Sequence, residues 1–185
     1  PEGMHPTLSK RLMEGAFLLL IAVAGYFLMA LISYSPDDPS WLFESAKQHA
    51  DNAAGVAGAW AASVLFLLFG EVAFVFPLMI AWGGWLLFRE RESAQASGVM
   101  RVARWSGFVL TVLSATALAT LHIGVIEHLP EGAGGVTGAL IGDAAEAALN
   151  PAGASLLLLA LLLVGFTLFT GVSWFAVMDA IGGFV

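Results

Sequence analysis

Along this chain, long uncharged apolar runs alternate with short polar stretches, and each run has the length of a membrane-crossing helix. A bilayer core is spanned by ~20 apolar residues in α-helical form. Gly15 to Tyr34 is uncharged over such a length. It holds Phe17, Leu18, Leu19, Leu20, Ile21, Val23, Phe27, Leu28, Leu31 and Ile32, and at roughly −0.3 to −0.6 kcal/mol each these favour insertion by about 3–6 kcal/mol. The pattern predicts a first span over about 12–34. The next run, from Ala53 to Phe88, carries only Glu71 as a charge and is too long for one upright crossing. Gly70 and Glu71 predict a break, with a short helix over 55–69 before it and a second span over 72–88 after it. A third span is predicted over 105–126 and a fourth over 152–174, after the Asn150-Pro151 pair. Proline at a first helical turn loses no hydrogen bond, so that pair reads as a helix start.

A secretory signal peptide is the alternative reading of the first run. Its apolar core exceeds the usual ~7–15 residues and no small-residue cleavage site follows, so the run reads as a retained helix. Composition agrees with a lipid solvent. Of 185 residues, 59% are hydrophobic and 11% charged, too few charges to clothe a water-soluble surface of this size. There is no cysteine, which excludes disulfides and thiolate metal sites. The net charge of −7 argues against direct nucleic-acid binding by this segment.

Orientation follows from the seven Lys and Arg residues. Lys10 and Arg11 precede the first span, and Arg89, Arg91, Arg101 and Arg104 lie between the second and third. Only Lys47 falls elsewhere. Basic loops stay in the cytoplasm, so these six predict cytoplasmic 1–11 and 89–104, periplasmic 35–71 and 127–151, and a cytoplasmic C-terminus. Tyr34, Trp41 and Trp60 at the outer face, with Trp85, Trp105 and Trp174 at the inner one, suit interfacial aromatic belts.

Both outer loops end alike. Gly55-Val-Ala-Gly-Ala59 returns as Gly135-Val-Thr-Gly-Ala139, and Ala54, Gly58 and Ala62 match Gly134, Gly138 and Gly142 at the same offset. Every fourth residue is small, a stripe that lets helix backbones approach closely in lipid. Gly70 pairs with Asn150 at the join to the following span. The expected architecture is therefore an all-α integral membrane fold: a four-transmembrane-helix bundle made of two parallel helical hairpins, with short periplasmic interfacial helices before spans 2 and 4. The second of these is placed at 136–149, where Asp143 and Glu146 lie opposite Leu140 and Ala144. The competing account is that Gly and Ala are common enough for five letters to recur.

Candidate chemistry is sparse. In Ser35-Pro-Asp-Asp-Pro-Ser-Trp41, prolines on either side of Asp37-Asp38 fix local geometry and give a stiff acidic segment. It reads either as a docking surface for a periplasmic protein or as an ordinary turn with Trp41 at the lipid interface. Glu71 reads as an ion or proton site or, more simply, as an interfacial carboxylate favoured by a helix start. His122, Glu127 and His128 match no zinc spacing. No phosphate loop, nucleophile elbow or H-E-x-x-H motif occurs, so no catalytic residue, cofactor or metal is expected. A small ion or solute channel would need polar groups at mid-depth, and the spans offer only Ser33, Thr111, Ser114, Thr116, Thr120 and Thr167.

Leu31-Ile-Ser-Tyr-Ser-Pro-Asp-Asp-Pro-Ser-Trp41, Gly58-Ala-Trp60, Leu65-Phe66, Phe69-Gly70, Gly84-Trp-Leu-Leu-Phe-Arg89 and Gly165-Phe-Thr-Leu-Phe-Thr-Gly-Val-Ser-Trp174 together resemble the N-terminal four-helix membrane domain of the FtsK/SpoIIIE family of DNA translocases. The resemblance covers about residues 10 to 178. It implies a membrane anchor that holds a cytoplasmic DNA-pumping ATPase at the division septum and meets other septal membrane proteins, with homo-oligomerisation through the hexameric motor. It also implies a partner-contact role for Asp37, Asp38, Pro39 and Trp41. Residues 179–185 are expected to begin a cytoplasmic linker, with Val185 a cut point and residues 1–6 partly foreign.

Overall fold

The computed structural model describes residues 6–40, 49–90, 98–126, 128–173, 178–179 and 182–183, with no side-chain description for 6–10, 13 and 87–90. Among the described residues there is no strand. Five helices follow one another: α1 (Pro6–Ile32), α2 (Gly55–Phe69), α3 (Val75–Glu90), α4 (Gly98–His122) and α5 (Gly135–Thr170), with a short 3₁₀ segment, Gly70–Phe74, between α2 and α3. Four helical stretches are long and apolar enough to cross a membrane: Glu14–Ile32, Gly55–Leu86, Gly98–His122 and Gly135–Thr170.

The helices overrun the expected spans at their basic ends. Proline opens α1 at position 6, where a missing N–H costs nothing, and Lys10 and Arg11 lie within that helix. α4 starts at Gly98 rather than 105, so Arg101 and Arg104 are helical and not in a loop. Arginine is a strong helix former, and nothing obliges a helix to stop where the hydrocarbon does. Arg89 lies on the last turn of α3, while Arg91 and Trp174 lie outside the described residues. At the other end, α4 stops at His122 rather than 126, where the Ile123 and Gly124 N–H groups both donate to Ala119 O at 2.9 and 3.3 Å. α5 stops at Thr170 rather than 174, capped by the Gly171 N–H on Thr167 O at 2.8 Å.

Two compact units make up the chain. The first joins Pro1–Leu65 with Ala73–Ala96, and the second joins Phe66–Val72 with Ser97–Val185. Within the first, α1 packs on α3. A Cβ added at Gly84 would lie 3.1 Å from Leu20 Cδ1 and 3.7 Å from Phe17 Cδ2, so glycine there lets the helices close in. Ala24, Ala30, Leu31, Ala59 and Ala62 are buried.

Within the second unit, α4 and α5 make the main contact. α5 is kinked: Asn150 leaves helical geometry at φ 60°, ψ 166°, ahead of Pro151. Beyond the kink the two helices run antiparallel, with Ser155 against His122 at one end and Gly165 against Gly107 and Thr111 towards the other. A Cβ at Gly165 would come 2.7 Å from Thr111 N, and one at Gly107 2.6 Å from Phe169 N. These two glycines bring backbone to backbone, the close approach on which association in lipid depends. Before the kink the geometry differs. Gly134, Gly138 and Gly142 all face one short stretch of α4, Thr116 to Leu121. A helix lying alongside would advance by about 1.5 Å per residue and leave that stretch behind. This part of α5 therefore crosses α4 steeply.

Candidate interaction surface

The stiff acidic segment after α1 is anchored by a buried network. Asp38 is only 1% exposed. Its Oδ1 accepts the Asp51 N–H at 2.7 Å and its Oδ2 the Asn52 N–H at 3.0 Å. Asn52, also buried, donates from Nδ2 to Ala30 O at 2.7 Å and Ser33 O at 3.2 Å, and its Oδ1 accepts the Ala54 N–H at 2.9 Å. Ser33 Oγ donates to Met29 O at 2.7 Å and accepts the Ala53 N–H at 3.0 Å. Tyr26 OH adds a bond to Ala54 O at 3.1 Å.

These bonds answer a definite need. The last carbonyls of a helix and the first N–H groups of the next lack helical partners. Asn52 and Ser33 meet carbonyls at the end of α1, while Asp38, Asn52 and Ser33 meet N–H groups just ahead of α2. The segments on either side of residues 41–48 are thus joined. Burial, and next the Asp38 carboxylate, push the Tyr34 phenol above its ordinary range.

The Asp38 carboxylate is turned inward and accepts two backbone N–H groups, so it holds the base of this segment. Asp37 is exposed and Pro39 half-buried. Trp41 lies outside the described residues. Asn52 was not singled out from sequence, although Asp51-Asn52-Ala-Ala-Gly55 carries a turn signature: the Gly55 N–H donates to Asn52 O at 2.8 Å.

The matched positions of the two outer loops share a backbone. Gly55 and Gly135 stand at φ 71° and 63°, and Gly70 and Asn150 at φ 55° and 60°. Each pair brackets a helix of the same length, and a positive φ is a conformation that glycine, lacking a Cβ, adopts most readily. Gly58 and Gly138 are both buried. A Cβ at Gly58 would strike Ala54 and lie 2.9 Å from Asn52 Oδ1, and one at Gly138 would strike Thr116 O. Gly134 is as tight against Thr116 and Thr120, whereas Gly142 has its nearest neighbour, Ala117 O, at 3.3 Å. Gly135 lies against the backbone of Leu68, Phe69 and Gly70.

Glu71 opens the 3₁₀ segment. Its N–H donates to Ala133 O at 2.8 Å and its Oε1 lies 3.7 Å from His128 Nε2, both groups partly in solvent. His122 instead meets Ser155, so the two histidines serve separate contacts, and Glu127 lies outside the described residues. Among the described residues no three His, Asp or Glu side chains converge as metal ligands. Three hydroxyls within the apolar helices are spent locally, Thr111 on Gly107 O, Thr116 on Leu113 O and Thr167 on Leu163 O, each within 2.8–2.9 Å, whereas Thr120 Oγ1 is buried without a hydrogen-bond partner among the described residues.

Comparison with known proteins places this geometry among relatives. The family described as the 4TM region of DNA translocase FtsK/SpoIIIE matches residues 9–182. The chain is 44% identical over 177 residues to a DNA translocase FtsK of Pseudomonas syringae, covering 95% of this chain and 22% of that protein. It is 40% identical over 174 residues to the DNA translocase FtsK of Shewanella oneidensis, covering 94% of this chain and 19% of the relative. The corresponding protein of Pseudomonas aeruginosa is 38% identical over 178 residues, with 95% and 22% covered. The chain thus spans about a fifth of the length of these relatives. No solved structure matches it significantly.

Proposed function

Because the chain belongs to the four-transmembrane region of the FtsK/SpoIIIE family of DNA translocases, we propose that it is the membrane anchor of a cell-division DNA motor, holding that motor at the division septum for chromosome segregation. The observation that carries this reading is the coincidence of four apolar, membrane-length helices with the family match over residues 9–182.

In this reading the chain is a multi-pass protein of the bacterial inner membrane with both termini in the cytoplasm. The positions of Lys10, Arg11, Arg89, Arg91, Arg101 and Arg104 support that orientation. The four spans form two parallel hairpins. α2 and the first part of α5 are periplasmic interfacial helices, which the steep crossing at Gly134–Gly142 supports on the α5 side. This segment performs no catalysis and touches no nucleic acid. The ATPase and DNA contacts belong to the rest of the protein, whose hexameric motor brings copies of the anchor together. Clustering raises the local concentration of motors where the septum forms. Asp37 and Pro39, presented by the loop that Asp38 closes, and Trp41 are the contact surface for other septal membrane proteins.

Thr111, Thr116 and Thr167 lend a channel reading no support, since they are engaged with their own helices. The test is septal recruitment. A fluorescent fusion of this chain should gather at division sites and, joined to its motor, support division. A uniformly distributed fusion, or solute flux through liposomes carrying the chain, would defeat the anchor reading.

A further inference from the structure

The second unit contains a groove that the anchor role does not use. It lies between α4 and the part of α5 beyond the kink, is open along one side, and has a volume of about 710 Å³. That size falls in the range that holds small-molecule ligands. Ala115 and Ala119 leave space beside Leu118, Leu156 and Leu159, and Val72 also borders it. Polar groups occur at one end only, where His122 and Ser155 meet at 2.9 Å. His122 is the last residue of α4 and Ser155 lies just after the kink, so the polar end sits at the edge of the span and the hydrocarbon end within it.

The hydrogen bonds fix what that polar end offers. The Ser155 hydroxyl donates to Pro151 O at 2.7 Å, and its single proton is then used. Ser155 Oγ must therefore accept from His122 Nε2–H. In the neutral ring this leaves Nδ1 as an acceptor, and His122 is exposed. An occupant that suits this groove has a long hydrocarbon tail and, at one end, a polar group with a hydrogen-bond donor. We infer that the groove binds one bilayer phospholipid, its acyl chain along Ala115, Ala119 and Leu159 and a donor-bearing headgroup at His122. The site rests on the membrane-spanning reading of α4 and α5. A transmembrane helix from a second copy, the other candidate occupant, brings no comparable reason for a polar acceptor at one end.

The chain is reconstituted at pH of about 8 in discs of phosphatidylethanolamine or of phosphatidylcholine with the same acyl chains. It is then released into mild detergent and weighed by native mass spectrometry. One retained phosphatidylethanolamine per chain is expected, held about tenfold more tightly than phosphatidylcholine, which lacks a headgroup donor; tenfold corresponds to ~1.4 kcal/mol, the scale of one charge-assisted hydrogen bond. Ala152→Phe, which fills the groove mouth, should abolish retention, while Leu157→Phe, outside the groove, should keep it. Ser155→Ala, which frees the ring to turn, should bring the two lipids to similar retention without unfolding the chain. Equal retention of both lipids by the parent, undiminished retention in Ala152→Phe, or a chain dimer in place of bound lipid would overturn the proposal. Carbonate extraction, run first, separates this from the underlying premise: a chain released from membranes would overturn the membrane reading and the groove with it.

Discussion

Asp38 and Asn52 meet across the base of the loop that follows α1, the buried carboxylate accepting the Asn52 N–H at 3.0 Å while the Asn52 amide donates to Ala30 O at 2.7 Å. Through this pair the end of α1 and the start of α2 are held together. The neighbouring aspartate, Asp37, is exposed.

The two acids should therefore behave differently. Asp38→Ala leaves the Asp51 and Asn52 N–H groups without acceptors, and should cost about 1–3 kcal/mol, seen as a lowered melting temperature in detergent. Asp37→Ala, at an exposed position, should lower the melting temperature less than Asp38→Ala does, and should lose septal recruitment where Asp37 meets a partner. A double variant confounds the two effects, so the single variants are the informative ones.

Gly138 and Gly142 give a second contrast. Gly138→Ala drives a methyl group into Thr116 O, and overpacking of this kind costs about 1–3 kcal/mol. Gly142→Ala meets Ala117 O at 3.3 Å and gains helix propensity of up to ~1 kcal/mol, so it should be neutral or better. Thermal unfolding of both variants followed by circular dichroism checks the order.

At the kink, Asn150 holds φ 60°. With ψ 166° this is a region that glycine alone enters freely, and other residues pay about 1–3 kcal/mol. Asn150→Gly should match or exceed the parent in stability and Asn150→Leu should not exceed it, as measured by the same melts.

Tyr34 supplies a pH signature. Its phenol is held above the ordinary value of about 10 by burial and by Asp38, so the folded state binds a proton that the unfolded state has released. That contribution is complete below pH of about 10 and is lost as the pH climbs through the higher folded value. Spectroscopic titration of tyrosinate should show one late-titrating phenol, absent in Tyr34→Phe, with Tyr26 as the only other tyrosine.

Much of the helical layout could be read from residues whose backbone preference is local. Gly70-Glu71 and Asn150-Pro151 mark breaks by their own conformational limits, and both breaks stand where those pairs lie. The helix over Gly55–Phe69 has the expected bounds. Helix ends were less legible, because water tolerates the extra turns carrying Arg101 and Arg104. The direction of the Asp38 carboxylate was illegible: two adjacent aspartates between prolines look alike in sequence, and only the approach of Asp51 and Asn52 decides which turns inward. The Gly107–Gly165 contact was missed for a similar reason, since each glycine acquires its meaning from a helix remote in sequence.

The central claim is a chain that crosses the membrane four times with its basic stretches inside. The chain has no cysteine, so single cysteines at Asp37, Ser93 and Glu131 of this chain can be read cleanly with a membrane-impermeant maleimide in intact cells. Labelling at positions 37 and 131, with position 93 protected until the cells are lysed, is the expected result. Reaction at position 93 in intact cells would contradict the proposed crossings.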